Sequence, residues 1–405
     1  MKKDFLINAA GIGAGQLIVL AATPVLARIY SPNEFGIYAS LVAISAIISS
    51  IASLRFDVAI PSVSNENINP LFQISIILPF FVSIIFVFIY KITSNYFSIS
   101  LDKSLSAAWI TSVASFLGCT NVCLAWFTRK GMFAWSAAIK VLQPLAFTAA
   151  ALIIPFGLNG ALLFSWIIAF ILGIFACHRA FKNISISDTY SAVRSSIKYP
   201  IVSMPMALLD TASLSLPLFF IVSEFGNSSA GNYSQIQRLL AAPLMLMGIA
   251  ASQVFYKHAG DLYRDNKNIG PLMWKVVRSL LLLSMLLGVF IVLFGEATIA
   301  LILGSNWRTD LKFLLLAIAP IIFRMIVSPI SVIFLITDRL GLSGLWQTIY
   351  FLVTCGTIIY AKNRLSLDQY LFTLGFAEFM MYSSYLLLAI VAVNSNRKPL
   401  FPAAS

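Results

Sequence analysis

Eight ionisable side chains stand in costly places. Arg28, Arg55, Asp57, Lys140, Asp210, Arg238, Arg324 and Glu378 all fall within or at the ends of long apolar runs. A charge inside a membrane span is expensive and faces a cavity, water or a partner. Lys140 lies some seven residues into its run, roughly 10 Å deep at the helical rise. Asp210, Arg324 and Glu378 lie near the middle of theirs, and a short aspartate cannot snorkel to the surface. Asp210 and Arg238 belong to consecutive runs, so a structural ion pair between them is one reading. Arg28 closes the first run near Glu34, and a snorkelling or loop-paired arginine accounts for it equally well. Arg55 and Asp57 close the second run, where an interfacial anchor competes with a binding role. Taken together, five cations against three anions leave the interior net positive. That sign favours an anionic guest such as a phosphate or diphosphate, and arginine's planar fork suits phosphate oxygens.

Other residue types offer less chemistry. Cys119 and Cys123 stand four apart on one run, but two small residues on a packing face explain them better than a metal pair. His178 and His258 are too far apart to suggest metal-ligand spacing. Gly11-Ile12-Gly13-Ala14-Gly15 follows no strand, so a nucleotide loop is excluded; close helix packing through small residues is expected instead. Prolines 144, 205, 217, 243, 320 and 329 cluster near the internal charges and predict bent helices. Neither a metal nor a cofactor is expected.

The elements that must hold these residues are membrane helices. Of 405 residues, 60% are hydrophobic and 10% charged, against roughly 25% charged in soluble domains. Mean hydropathy is +0.91. The pattern predicts an all-α membrane protein with spans near 5–29, 36–56, 71–91, 105–127, 133–154, 158–178, 199–222, 230–255, 275–294, 311–336, 341–361 and 367–393,. The region 295–316 fits least well, because Gly295, Glu296 and the stretch Gly304–Asp310 interrupt it. The first run is too long for a signal h-region and lacks a cleavage site, so it is expected to remain as a helix. Alternating the spans puts seventeen Lys and Arg on the N-terminal side and seven on the other. Both termini are therefore expected in the cytoplasm. The net charge of +12 is mostly this topology signal, and no compact basic domain exists to bind nucleic acid. The loops near 179–198 and 257–274 are polar and basic, and none is long enough for a soluble catalytic domain.

Two stretches resemble one another. Ser31-Pro32-Asn33-Glu34-Phe35-Gly36-Ile37-Tyr38 and Gly226-Asn227-Ser228-Ser229-Ala230-Gly231-Asn232-Tyr233 both carry Gly-x-Tyr at the start of a helix, after a helix containing a proline, Pro24 or Pro217. An even number of spans separates them, which predicts a parallel repeat: lobes 1–190 and 191–405, six helices each.

Leu54-Arg55-Phe56-Asp57-Val58-Ala59-Ile60, the run from Lys198-Tyr199-Pro200 to Gly231-Asn232-Tyr233-Ser234, and Arg238-Leu239-Leu240-Ala241-Ala242-Pro243 carry a family resemblance. The chain resembles the polysaccharide transporter (Wzx-type flippase) family of the multidrug/oligosaccharidyl-lipid/polysaccharide exporter superfamily. The resemblance implies two six-helix lobes around a central cavity that opens alternately to each side. It implies a bacterial inner-membrane flippase that moves undecaprenyl-diphosphate-linked oligosaccharide repeat units, of O-antigen or capsular type, to the periplasmic leaflet. Related lipid II flippases line the cavity with arginines on the first, second and eighth helices, positions that Arg28, Arg55 and Arg238 match.

The expected substrate-binding set is Arg28, Arg55, Lys140, Arg238 and Arg324. Asp57, Asp210 and Glu378 are candidates for coupling a proton or sodium ion. The expected partners are the lipid-linked oligosaccharide and other polysaccharide-assembly proteins. A multidrug or cation antiporter of the same superfamily is the alternative, and it would want a dominant acidic site. A polysaccharide polymerase would want a large catalytic loop on the far side, which the short loops do not supply; no enzyme is expected.

Overall fold

The computed structural model describes residues 2–97, 106–153, 157–181, 186–265, 267–337 and 339–395. Lys103, Lys182, Arg397 and Lys398, counted above for orientation, lie outside them. Among the described residues the chain is helical, with no strand. Lipid offers backbone groups no hydrogen bonds, and only helices satisfy them within one segment.

The first compact unit spans Met1–Gly231. It contains α1 (Lys2–Ile29), α2 (Pro32–Ala52), the short α3 (Phe56–Ala59), α4 (Ile68–Phe97), α5 (Ala107–Lys130), α6 (Phe133–Ile153), α7 (Gly157–Ala176), α8 (Ile186–Ser195) and the first part of α9 (Met204–Arg264). The second unit, Asn232–Ser405, holds the rest of α9, then α10 (Gly270–Leu303), α11 (Leu311–Val327), α12 (Ile333–Ile336), α13 (Leu340–Ala361) and α14 (Leu367–Ser395). Each unit has its own core. Phe56, Phe72, Trp126 and Phe127 anchor the first. Phe255, Phe334, Trp346 and Tyr382 anchor the second. Phe88, Leu301 and Ile359 stay exposed, as lipid-facing side chains do,.

Among the described residues, eleven stretches are long and apolar enough to cross a membrane. One of them, Tyr199–Leu240, runs for 42 residues and is broken at Gly226, where φ is 83° and ψ 167°. It therefore supplies two spans, so all the expected crossings have a helix. The loop expected between 222 and 230 is a one-residue break at a left-handed glycine,. Gly295 does the opposite. There α10 runs straight on to Leu303, and Gly295 packs against Ile291 and Leu314. Glu296, read as an interruption, accepts from the Leu311 amide at 2.6 Å and so caps the next helix,. Beyond Val327 a 3-10 turn, Ser328–Ile330, separates α11 from α12. Pro329 lies in that turn, and a proline cannot donate to an α-helical ladder. The mid-chain loop also contains a helix, α8, which packs on α4.

Small residues set the tight crossings. Gly11 and Gly15 face α6, where a Cβ on either would collide with Ala137 or the Lys140 carbonyl. Gly13, on the other side of α1, has nothing near it. The repeat glycines meet each other: a Cβ on Gly36 would strike the Asn227 backbone, and one on Gly231 would strike Pro32 and approach the Gly36 amide. The start of α2 is fixed by a capping box. Glu34 Oε2 accepts from the Ser31 amide at 2.8 Å, and the Glu34 amide donates to Ser31 Oγ,. Gly36→Ala and Gly231→Ala are each expected to cost about 1–3 kcal/mol by overpacking against rigid backbone. Gly13→Ala is expected to be neutral or mildly stabilising. Thermal unfolding of the three variants in detergent checks this; equal midpoints would refute the close approach.

Candidate functional site

In the first unit the most distinctive local structure is the turn after α2. Leu54 and Arg55 both take left-handed φ values, 51° and 61°. That conformation costs non-glycine residues about 1–2 kcal/mol each, and strain of this kind concentrates at functional sites. The turn is held from several directions. Phe56, Ala59 and Ile60 are buried beneath it. Ser53 Oγ donates to Asp57 Oδ1 at 2.5 Å. Arg129, at the end of α5, donates to the carbonyls of Pro61 at 3.0 Å and Val63 at 2.9 Å and to Asn65 Oδ1 at 3.0 Å. Ser62 Oγ and Tyr199 Oη stand 2.8 Å apart. Arg129 is thus a structural clamp, while Arg55 is presented. The Arg55 side chain is half-buried and its Nε is buried without a hydrogen bond. Among the described residues its guanidinium has no ion pair.

The other first-unit candidates differ in setting. Lys140 is half-buried, and its ammonium donates to Asn8 Oδ1 at 2.7 Å, which also accepts from Ser136 Oγ at 3.1 Å. The close crossing of α1 and α6 brings these groups together. Arg28 lies in the last turn of α1, exposed, and donates to the Pro24 carbonyl at 3.2 Å. Asp210 is exposed on the first part of α9.

In the second unit Arg238 is half-buried on the second part of α9. Arg324 and Glu378, 54 residues apart, form an ion pair at 3.1 Å. Tyr350 joins them: its hydroxyl donates to Glu378 Oε1 at 2.6 Å and accepts from Arg324 Nη2 at 3.1 Å. Glu378 is 3% exposed. Its Oε2 and Arg324 Nε make no hydrogen bond among the described residues. Aromatic rings wall the cluster. Trp346 stacks on Tyr350 at 5.1 Å, and Trp346 Nε1 donates to the Met381 carbonyl at 3.0 Å. Here the structure joins one expected binding residue to one expected coupling residue.

One polar cluster escaped sequence reasoning, which treated Arg308 and Lys312 only as topology markers. Arg308 and Lys312 both pair with Asp368, each at 3.0 Å, and Arg308 also pairs with Asp310. The Arg308 amide donates to Asn232 Oδ1 at 2.7 Å. Asp310 caps α11 through the Phe313 amide at 3.1 Å. Burial pushes the Asp310 carboxyl up, but the Arg308 hydrogen bond and the Phe313 amide outweigh it and hold the group below the usual carboxylate range,. A depressed carboxylate contributes stability above its unfolded pKa and loses it only as pH falls through the folded one. The Arg308–Asp310 pair is therefore kept at neutral pH. An aspartate just ahead of an apolar run was its only sequence signal.

Cys119 and Cys123 are buried. Cys119 Sγ lies 3.2 Å from the Ile76 carbonyl, and Cys123 packs against Gly173. Among the described residues no group of three His, Cys, Asp or Glu could hold a metal ion.

A family model described as polysaccharide biosynthesis protein matches residues 25–312. A search of curated proteins finds no match. Among solved structures, the lipid II flippase MurJ in an inward closed conformation superposes with TM-score 0.70 and 14% identity, over 98% of this chain and 90% of that one. A transporter of the MOP superfamily from Pyrococcus furiosus, reported with reversed binding-pocket polarity, gives TM-score 0.61 and 14% identity, over 98% and 97%. An outward-facing multidrug resistance MATE transporter gives 0.60 and 15%, over 98% and 97%. At such identities these likenesses establish the fold alone. With the family model covering most of its length, the chain belongs to the polysaccharide biosynthesis protein family, as a multi-pass membrane protein.

Proposed function

We propose that this protein flips an oligosaccharide repeat unit, linked to undecaprenyl diphosphate, from the cytoplasmic to the periplasmic leaflet of a bacterial inner membrane. The oligosaccharide is of O-antigen or capsular type, and translocation proceeds by alternating access. The observation that carries the reading is Arg55: a guanidinium with no acidic partner among the described residues, presented on a strained and clamped turn inside the region that matches the family. Arginine without a carboxylate suits a diphosphate. Arg28, Lys140 and Arg238 are proposed as further contacts for the head group. The excess of Lys and Arg places Arg55 and both termini on the cytoplasmic side, where the substrate is loaded. Arg324 and Glu378 act as a pair, with Glu378, Asp57 and Asp210 as candidates for coupling a proton or sodium ion. Other polysaccharide-assembly proteins would supply the substrate and receive it.

A drug antiporter is the second reading, because the fold is also that of MATE transporters. It is weaker on charge. A cationic drug needs an available carboxylate, yet Glu378 is neutralised by Arg324 and Asp57 is bonded by Ser53.

Deleting the gene in its host tests the reading. Lipid-linked oligosaccharide is expected to accumulate facing the cytoplasm, inaccessible to a membrane-impermeant glycosidase added to spheroplasts. Drug sensitivity is expected to stay unchanged. Accumulation on the outer face, or hypersensitivity to cationic drugs with normal surface glycan, would sink the proposal.

A further inference from the structure

The ends of α5 and α7 and the starts of α4 and α6 border an open cavity of about 460 Å³ in the first unit, with Lys130, His178 and Arg179 exposed at it. Its wall carries Lys130, His178 and Arg179 beside Trp126, Trp135 and Phe175, and no Asp or Glu. Lys130 holds its ammonium 5.7 Å from the Trp126 ring centre. Among the described residues neither Lys130 nor Arg179 has a hydrogen bond or ion pair from its side chain. Arg129, next to Lys130, shows the contrast, being bound by three acceptors. Two cations with no counter-charge among the described residues thus share one aromatic cavity.

An apolar exposed face adjoins the cavity. Phe175, which lines it, is 68% exposed and packs against Trp135 with ring centres 6.4 Å apart. Below it on α7, Ile171 and Phe164 are exposed at helical spacing and continue the same face,. A basic head-group pocket at the membrane surface, flanked by Trp and continued by an apolar track, matches the shape and charge of a phospholipid.

We propose that this cavity binds an anionic glycerophospholipid from the membrane leaflet, with the phosphate between Lys130 and Arg179 and an acyl chain along Phe175, Ile171 and Phe164. The site is separate from the flipping reaction proposed above and does not depend on it. A lipid held there bridges the ends of α5 and α7 and stabilises the first unit in membranes rich in anionic lipid.

Native mass spectrometry of the detergent-solubilised full chain tests the proposal, with phosphatidylglycerol, phosphatidylethanolamine, a prenyl diphosphate and inorganic phosphate as separate titrants. Wild-type protein is expected to retain phosphatidylglycerol at roughly tenfold lower concentration than phosphatidylethanolamine. Lys130→Gln/Arg179→Gln should abolish that preference and keep the lipid-free unfolding temperature. Should the double variant not fold, Lys130→Gln and Arg179→Gln singly should each lower the preference about threefold. A preference unchanged in these variants overturns the assignment. So does displacement of the phospholipid by inorganic phosphate at equal concentration, which would mark a phosphate site. Tighter binding of prenyl diphosphate, lost in the same variants, would also overturn it, because the cavity would then serve the transported lipid.

Discussion

Glu378→Ala is expected to cost about 3 kcal/mol of stability. Removing one partner of a buried pair strands the other charge, typically at 3–5 kcal/mol. The lower end applies because the Arg324 side chain keeps 33% of its surface exposed. The removal also frees the Tyr350 hydroxyl that now donates to Glu378. Arg324→Met should be worse, because it strands a carboxylate that is 3% exposed. The double variant Arg324→Met/Glu378→Leu should recover most of the loss, since an apolar substitute for an ion pair is often neutral or better. Unfolding temperature in detergent reads these differences. Transport reads something else. If the pair takes part in coupling, the double variant is stable yet fails to restore surface glycan in a deletion strain, and that is the expected result. Full restoration would make the pair structural and would remove both residues from the functional set.

The spans were legible because lipid leaves so few options. An apolar run of sufficient length must be a helix, and the Lys and Arg count divides the loops. What the sequence hid was local or distant in particular ways. Gly226 and Gly295 look alike in their runs, yet one breaks a helix at φ 83° and the other packs inside one. Only the neighbours decide which. The turn at Leu54-Arg55 carries no glycine or asparagine, so no turn signal announced its left-handed backbone,. The family resemblance pointed at Arg55, but the clamp that Arg129 places on the following loop carries no signal in the sequence. Arg324 and Glu378 were each recognised as intramembrane charges. Their pairing across 54 residues was not recognised, because composition carries no register between helices. The same holds for Lys140 and Asn8, which meet because glycines let α1 and α6 approach closely.

The Arg55 turn yields the second large effect, and strain and chemistry predict opposite signs for it. Arg55→Gly relaxes a left-handed residue that costs about 1–2 kcal/mol as arginine. Glycine returns part of this through its greater freedom in the unfolded chain, about 0.5–1 kcal/mol. The net change is therefore a stabilisation of at most about 1.5 kcal/mol. Arg55→Ala keeps the strain and should leave the unfolding temperature nearly unchanged, because among the described residues the guanidinium has no partner to lose. Transport should fall sharply in both. A hydrogen bond to a charged group contributes about 1.5–3 kcal/mol, so losing the contact to a diphosphate lowers flipping roughly 10–100-fold. Arg55→Lys keeps the charge but not the fork and should fall between. Leu54→Gly supplies the control: it relaxes the neighbouring strained residue and leaves the guanidinium in place. A protein stabilised by Arg55→Gly but unable to restore surface glycan would mean that the strain is kept for function. Arg55→Ala with wild-type glycan levels would show that this guanidinium does not meet the substrate, and the proposed site would have to be rebuilt without it.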